Sequence, residues 1–371
     1  MASTLVRPDS LAPLDQSPAM RMQAAVLYGA EDVRLETVPV PLLSRGELLV
    51  RVRTALTCGT DVKVYRRGYH ARMIQPPALF GHELAGDVVA VGEGVTAFRA
   101  GERVVAANSA PCDKCFYCRR QQPNLCEDLL FNNGAYAEYI RIPERIVRKN
   151  TYGIPDSISY KDAALVEPLA CALRGLDESN LFPGDTLAVM GLGPIGLMFV
   201  RLAKRLYGAR VIAIARRIEQ VDRAMLLGAD EGMLISPNAD MENDSALVFQ
   251  VKARTSGRGA DVVFEAIGRP EAWELATKLV RKGGTINFFG GCPAGTKVGL
   301  DTSLLHYGEI TCKASFHHTP AHVRQALQHL AEGQINATHL VNHEEPLSEL
   351  PQVLHSLAHH RNGHIKTAII P

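Results

Sequence analysis

Charge of either sign is not in excess: 40 Lys and Arg stand against 39 Asp and Glu, a formal net charge of +1 mixed along 371 residues. No basic tract or stripe is available to neutralise a phosphate backbone, which argues against nucleic acid as a partner. Long apolar runs are missing as well. The longest, Leu187 to Val200, is broken by three glycines and a proline and falls short of the ~20 residues that a membrane span needs. The first twenty residues carry Pro8, Asp9, Pro13 and Asp15 and no hydrophobic core, so they do not read as an export signal. Residues 1–21 are expected to form a disordered tail, and the protein is expected in the cytoplasm. Internal repeats and low-complexity segments are absent too.

Cysteine is sparse outside one place. Of the eight, four crowd into "PCDKCFYCRRQQPNLC" as Cys112, Cys115, Cys118 and Cys126. In a chain without an export signal, such clustering favours a metal over disulfides. With two, two and seven residues between them, four thiolates can be wrapped tetrahedrally around one Zn²⁺ by short loops, leaving no open position for substrate. A structural zinc site is expected here.

A chain of this length usually splits into about two domains. From Met22 to about Tyr160 it reads as short β-runs broken by turn residues: "QAAVLY", "ELLVRVRTAL", "LAGDVVAVG", "ERVVAA" and "AEYIRI". That spacing suggests a β-rich, barrel-like domain. Near Pro183-Gly184 the rhythm changes. "TLAVM" reads as a strand, "GLGPIG" as a turn and "LMFVRLAKRLYG" as a helix. The strand "RVIAI" follows, then a helix from Glu219 to Leu227, the strand "GMLI", a helix from Ser245 to Arg254, the strand "DVVFEAIG", a helix from Pro270 to Arg281, and the strands "GTINFFGG" and "EITCKASF". Strands alternating with helices in this way imply an α/β fold with a doubly wound parallel sheet. A last segment from about Pro320 to Pro371 holds the helical "HVRQALQHLAEG" and the β-like "IKTAII".

Gly191, Gly193 and Gly196, with Pro194 and Ile195 between them, form a GxGxxG spacing. The motif follows a predicted strand and opens a predicted helix, so backbone N–H groups and the helix N-terminus would face a dinucleotide pyrophosphate; the alternative is a glycine-rich turn without ligand. About 20 residues further on, such sites carry an acid for the adenosine ribose hydroxyls. Here the second strand ends instead in Ala215, Arg216 and Arg217. No carboxylate repels a 2′-phosphate, and two guanidiniums suit it, so NADP(H) is favoured over NAD(H). The alternative leaves both arginines as solvated surface charge.

A dispersed set remains: Cys58 in "TCGTDVK", His82-Glu83 in "FGHELAG" and Glu167 in "LVEPLA". A thiolate, an imidazole and a carboxylate hold catalytic zinc when a position is left for water or substrate. In the order "CGTD", "GHELAG", the four-cysteine lobe, "VEPLA" and "GLGPIG", the chain resembles the zinc-dependent medium-chain dehydrogenase/reductase family, closest to its sorbitol, threonine and butanediol dehydrogenase branch. The resemblance runs from about Met22 to the C-terminus. It implies a GroES-like catalytic domain over 22–175, completed by 320–371, and a Rossmann cofactor domain over 176–319. It also implies that Cys58 and His82 ligate a catalytic zinc, with Glu83 or Glu167 completing the shell directly or through water, and that Thr60 hands the substrate proton onward. One catalytic and one structural zinc per chain, and a homodimer or homotetramer, are what such a resemblance leads one to expect.

The function so implied is hydride transfer between NADP(H), or NAD(H), and a secondary alcohol, polyol or amino alcohol and its ketone. An NADPH-dependent carbonyl reductase working mainly in the reducing direction is a second reading, and a non-catalytic nucleotide-binding protein a third. Two departures bear on substrate. Lys63 stands where many relatives end the proton relay with histidine, and His317 and His318 stand where polyol dehydrogenases carry an arginine and a tyrosine.

Overall fold

The computed structural model describes residues 20–236, 240–359 and 363–371. Most of the expected tail, residues 1–19, lies outside them; Arg21 already belongs to the first strand. Two compact units emerge, one running to Glu167 and resuming over His343–Pro371, the other spanning Pro168–Asn342. Among the described residues no helix is long and apolar enough to cross a membrane.

In the first unit the strand Leu48–Leu56 is central: it pairs with Glu83–Val91, Tyr139–Ile142 and Thr367–Ile370. Flanked in this way, it is mostly buried, and only Arg51 is exposed along its length. Arg53 reaches Asp87 on the neighbouring strand at 2.6 Å. Register then sets up the site. Leu56 lies opposite Glu83 on one side and Ala368 on the other, so the residues just beyond the ladder, Cys58, His82 and Lys366, leave from the same end of the sheet.

Residues 22–160 are β-rich as expected, with one helix among the strands that matters for the site. Gly59–Arg67 is a helix. Cys58 caps it: its Sγ accepts from Thr60 N–H at 3.4 Å while Asp61 accepts from Cys58 N–H at 3.0 Å, a reciprocal capping box built with a thiol. His82 also depends on local geometry. Gly81 has φ of 87°, and a Cβ there would lie 2.6 Å from the buried Tyr136 ring. Gly81→Ala is therefore expected to cost about 2–5 kcal/mol, combining the left-handed penalty with overpacking. Urea unfolding measures this, and a loss below about 0.5 kcal/mol would mean that the loop relaxes freely.

The second unit contains six parallel strands, numbered here within the unit: β1 (Thr186–Met190), β2 (Arg210–Ala215), β3 (Glu231–Leu234), β4 (Ala260–Glu265), β5 (Val280–Phe288) and β6 (Thr311–Lys313). Their spatial order is β3-β2-β1-β4-β5-β6, the doubly wound arrangement that reverses direction at β1. The helix expected from Pro270 to Arg281 stops at Leu279. Val280 instead pairs with Ala260, and Arg281 is drawn to Asp261 at 2.5 Å, so sheet pairing overrides the helical continuation.

Candidate metal centres and cofactor site

Cys58, His82 and Glu83 each bring one ligand atom into a group whose members lie within 4.8 Å of one another. Glu83 and His82 are buried and Cys58 is partly so. The His82 ring is aimed from behind. Its Nδ1 faces Asp61 Oδ1 at 3.0 Å, and Asp61 Oδ2 in turn accepts the Tyr136 hydroxyl at 2.6 Å and the Cys58 N–H at 3.0 Å. Burial opposes a charge on His82, but Asp61 and the Cys58 sulfur outweigh it and hold the imidazole well above its ordinary value. A carboxylate behind a histidine is the arrangement that orients a metal-ligating ring.

Glu83 is fixed by Lys366. Both side chains are buried; Nζ pairs with Glu83 Oε2 and donates to the Thr57 carbonyl at 2.9 Å. Burial raises the Glu83 carboxyl and Lys366 only partly offsets this, while Glu83 Oε1 accepts no hydrogen bond among the described residues. Glu167, in the first turn of the helix Val166–Asp177, is also buried. It lies outside the group of three but within electrostatic reach of His82 and Glu83, and burial pushes it up to about 7. Thr60 is half-buried on the first helical turn, next to Cys58, and Lys63 is exposed.

The four cysteines of the lobe also converge, all within 4.8 Å, and none forms a disulfide. A short helix, Phe116–Arg119, and a 3-10 turn, Pro123–Leu125, fold the loop so that the sulfurs face inward; Cys115 and Cys126 Sγ are 3.9 Å apart. Backbone N–H groups of Cys118 and Glu127 stabilise the Cys115 thiolate and lower it to about 6, whereas burial raises Cys118 to about 12. Four thiols this close without a covalent link suit a tetrahedral cation.

In the second unit the glycine turn lies between β1 and the helix Pro194–Tyr207. A Cβ on Gly196 would stand 1.9 Å from the Gly191 carbonyl, so the helix packs on the turn only with glycine there. Gly193 is the helix N-cap and offers no side-chain cap; a Cβ on it would meet no atom within 4 Å. The first turn thus has no side-chain cap from its N-cap residue, the setting in which a helix N-terminus takes a phosphate. Gly191 N–H donates to the Ile214 carbonyl at 2.9 Å, and Gln220 Nε2 to the Leu192 carbonyl at 3.4 Å. These bonds place Ala215 at the end of β2 beside the turn, followed by Arg216 and Arg217, both exposed.

The profile of the alcohol dehydrogenase GroES-like domain matches residues 44–156, and that of the zinc-binding dehydrogenase matches 194–332. A sorbitol dehydrogenase of Bacillus subtilis is 30% identical over 356 residues, covering 94% of this chain and 97% of its own. The chain belongs to the zinc-dependent medium-chain dehydrogenase/reductase family. This dehydrogenase is also 35% identical over 264 residues to an L-threonine 3-dehydrogenase of Bacillus licheniformis, covering 70% of this chain and 73% of the other. Among solved structures, a zinc-binding dehydrogenase of Sinorhizobium meliloti bound to NADP matches with a TM-score of 0.84 and 30% identity, over 95% of this chain and 100% of the other. An alcohol dehydrogenase from Thermus sp. ATN1 matches at 0.83 and 30%, over 94% and 99%.

The dehydrogenase is thus an oxidoreductase with a GroES-like and a Rossmann-type part. Three residues of its site escaped the sequence reading: Asp61, Tyr136 and Lys366. Asp61 was detectable as the acid three places after Cys58, and Lys366 as a lone cation heading the apolar strand "TAII". Nothing local marks Tyr136. His317, with φ of 69°, and the buried His318 follow Ser315 in a loop held by Arg174, which donates to the Phe316 and His317 carbonyls, and by Asn287, 2.9 Å from Ser315.

Proposed function

We propose that this dehydrogenase interconverts a secondary alcohol, polyol or amino alcohol with its ketone, using NADP(H) in preference to NAD(H). The observation carrying the proposal is the convergence of Cys58, His82 and Glu83 within 4.8 Å, with an orphaned Glu83 oxygen among them. This donor set fits one zinc ion. Cys58 and His82 would hold it, with Glu83 or Glu167 completing the shell; the lobe of Cys112, Cys115, Cys118 and Cys126 would hold a second, structural one. When bound, the catalytic zinc polarises the substrate oxygen, and the nicotinamide supplies or accepts the hydride.

The chain's own residues do the rest. Asp61 keeps His82 in the orientation that frees Nε2. Lys366 offsets the Glu83 charge, which lets two carboxylates and a thiolate share one buried site. Thr60, next to Cys58 on the first helical turn, would take the substrate proton and pass it outward, with the exposed Lys63 on the same helix. Gly191, Gly193, Pro194, Ile195 and Gly196 would cradle the pyrophosphate, and Arg216 and Arg217 the 2′-phosphate, beside an Ala215 that repels nothing.

Zinc analysis and a turnover screen of polyols, amino alcohols and ketones with both cofactors test this reading together. About two zinc ions per chain are expected, and one or none would overturn the two-centre assignment. Saturation of NADH-linked turnover at lower concentration than NADPH-linked turnover would overturn the cofactor assignment.

A further inference from the structure

We propose that Glu31, His355 and His359 form a third metal site, open to solvent and taking a divalent transition ion of the zinc or nickel class. The three ligand atoms lie within 4.8 Å of one another, in the first unit, and share no residue with the two centres described above. His355 and His359 are one helical turn apart on Leu350–His359, whose other face buries Leu350, Val353, Leu354 and Leu357. Side chains four apart on a helix share a face, and two histidines at that spacing can chelate one zinc. Their rings are 4.6 Å apart between centroids. His359 Nε2 is 3.0 Å from Glu31 Oε1.

Glu31 does not meet the histidines by accident of a mobile loop. It sits at the tip of the hairpin formed by the strands Arg21–Gly29 and Asp32–Pro39, in the left-handed conformation with φ of 58°. An ordinary side chain seldom adopts that region, and here the Glu31 N–H is anchored on the Tyr65 carbonyl at 2.7 Å. The adjacent carboxylate, Asp32, is engaged by Arg34 at 2.7 Å, which leaves Glu31 as the oxygen donor facing the helix. Two imidazoles and one carboxylate suit zinc, nickel or copper rather than magnesium or calcium. Tetrahedral ligands on zinc are about 3.3 Å apart, a closure that three exposed side chains reach by small rotations. Three protein ligands leave a coordination position for water, so the ion exchanges.

Such an ion would join the C-terminal helix to the hairpin tip. Through the Glu31–Tyr65 hydrogen bond it would also join the end of the helix Gly59–Arg67, which begins at Cys58 and packs against Leu350–His359. The site is a clamp on the scaffold behind the catalytic helix, and it touches no residue of the proposed chemistry.

The test is equilibrium dialysis of the protein, carrying its resident zinc, against buffered free zinc, followed by metal analysis. Wild type is expected to gain one saturable equivalent over the resident content. His355→Ala combined with His359→Ala is expected to lose that equivalent and keep wild-type turnover at resident zinc; Glu31→Gln, which keeps an oxygen but not its charge, is expected to bind it more weakly. At about 100 times the dissociation constant, zinc should raise the melting midpoint of wild type by about 5 °C and leave the double variant unmoved. Equal zinc content in wild type and double variant would overturn the site. So would an extra equivalent that survives in the double variant and disappears in His343→Ala, since His343 and His364 are stacked elsewhere at 3.7 Å.

Discussion

Cys58→Ser and His82→Ala are each expected to lower kcat/KM by about 1000-fold or more, because polarisation of a substrate oxygen by a bound metal supplies several kcal/mol and each 1.4 kcal/mol is a factor of ten. The serine variant is the cleaner of the two. Cys58 also caps the helix Gly59–Arg67 through its sulfur, and serine is a good N-cap, so the helix keeps its start while the thiolate is lost. His82→Ala leaves Asp61 still engaged by Tyr136 and by the Cys58 N–H, which should confine the damage to the site. The zinc content should fall from about two to about one per chain, with the four-cysteine lobe keeping its ion. Circular dichroism and the unfolding midpoint establish that the fold persists. Either variant retaining more than about a tenth of wild-type turnover would take that residue out of the reaction.

What was legible in the sequence follows from how local each signal is. The cofactor unit could be read almost strand by strand, since β1, β2 and β4 are short apolar runs separated by helices of clear period. The GLGPIG turn needs glycine for reasons that act over a few residues: Gly196 must let the Gly191 carbonyl approach. The four-cysteine lobe is likewise local. The proposed catalytic centre is not. Cys58, His82, Glu83 and Lys366 are brought together by the register of Leu56 against Glu83 and Ala368, and register between distant strands leaves no mark in either one. A resemblance could name candidate ligands but could not show the contacts of Asp61 with His82 and of Lys366 with Glu83. The helix at Gly59 was missed because its cap is a cysteine, which the usual Ser, Thr, Asp and Asn signal overlooks.

The proposed cofactor choice rests on a different kind of local signal, a missing acid, and its test has the second largest expected effect. Replacing Arg216 and Arg217 together by alanine is expected to raise KM for NADPH about 30- to 100-fold and KM for NADH less than about threefold. Each charge-assisted hydrogen bond to a phosphate is worth about 1.5–3 kcal/mol, and because both arginines are exposed and screened by salt the pair falls below twice the lower end, at about 2–2.7 kcal/mol together. Kinetics with both cofactors at one ionic strength measure the ratio. Ala215→Asp attacks the same preference from the other side. A carboxylate at the end of β2 repels the 2′-phosphate and offers acceptors to the ribose hydroxyls of NADH, so this variant should lose NADPH turnover while gaining affinity for NADH. If the double arginine variant weakens both cofactors equally, the two guanidiniums act on charge shared by both dinucleotides, the pyrophosphate, and Ala215 alone sets the preference.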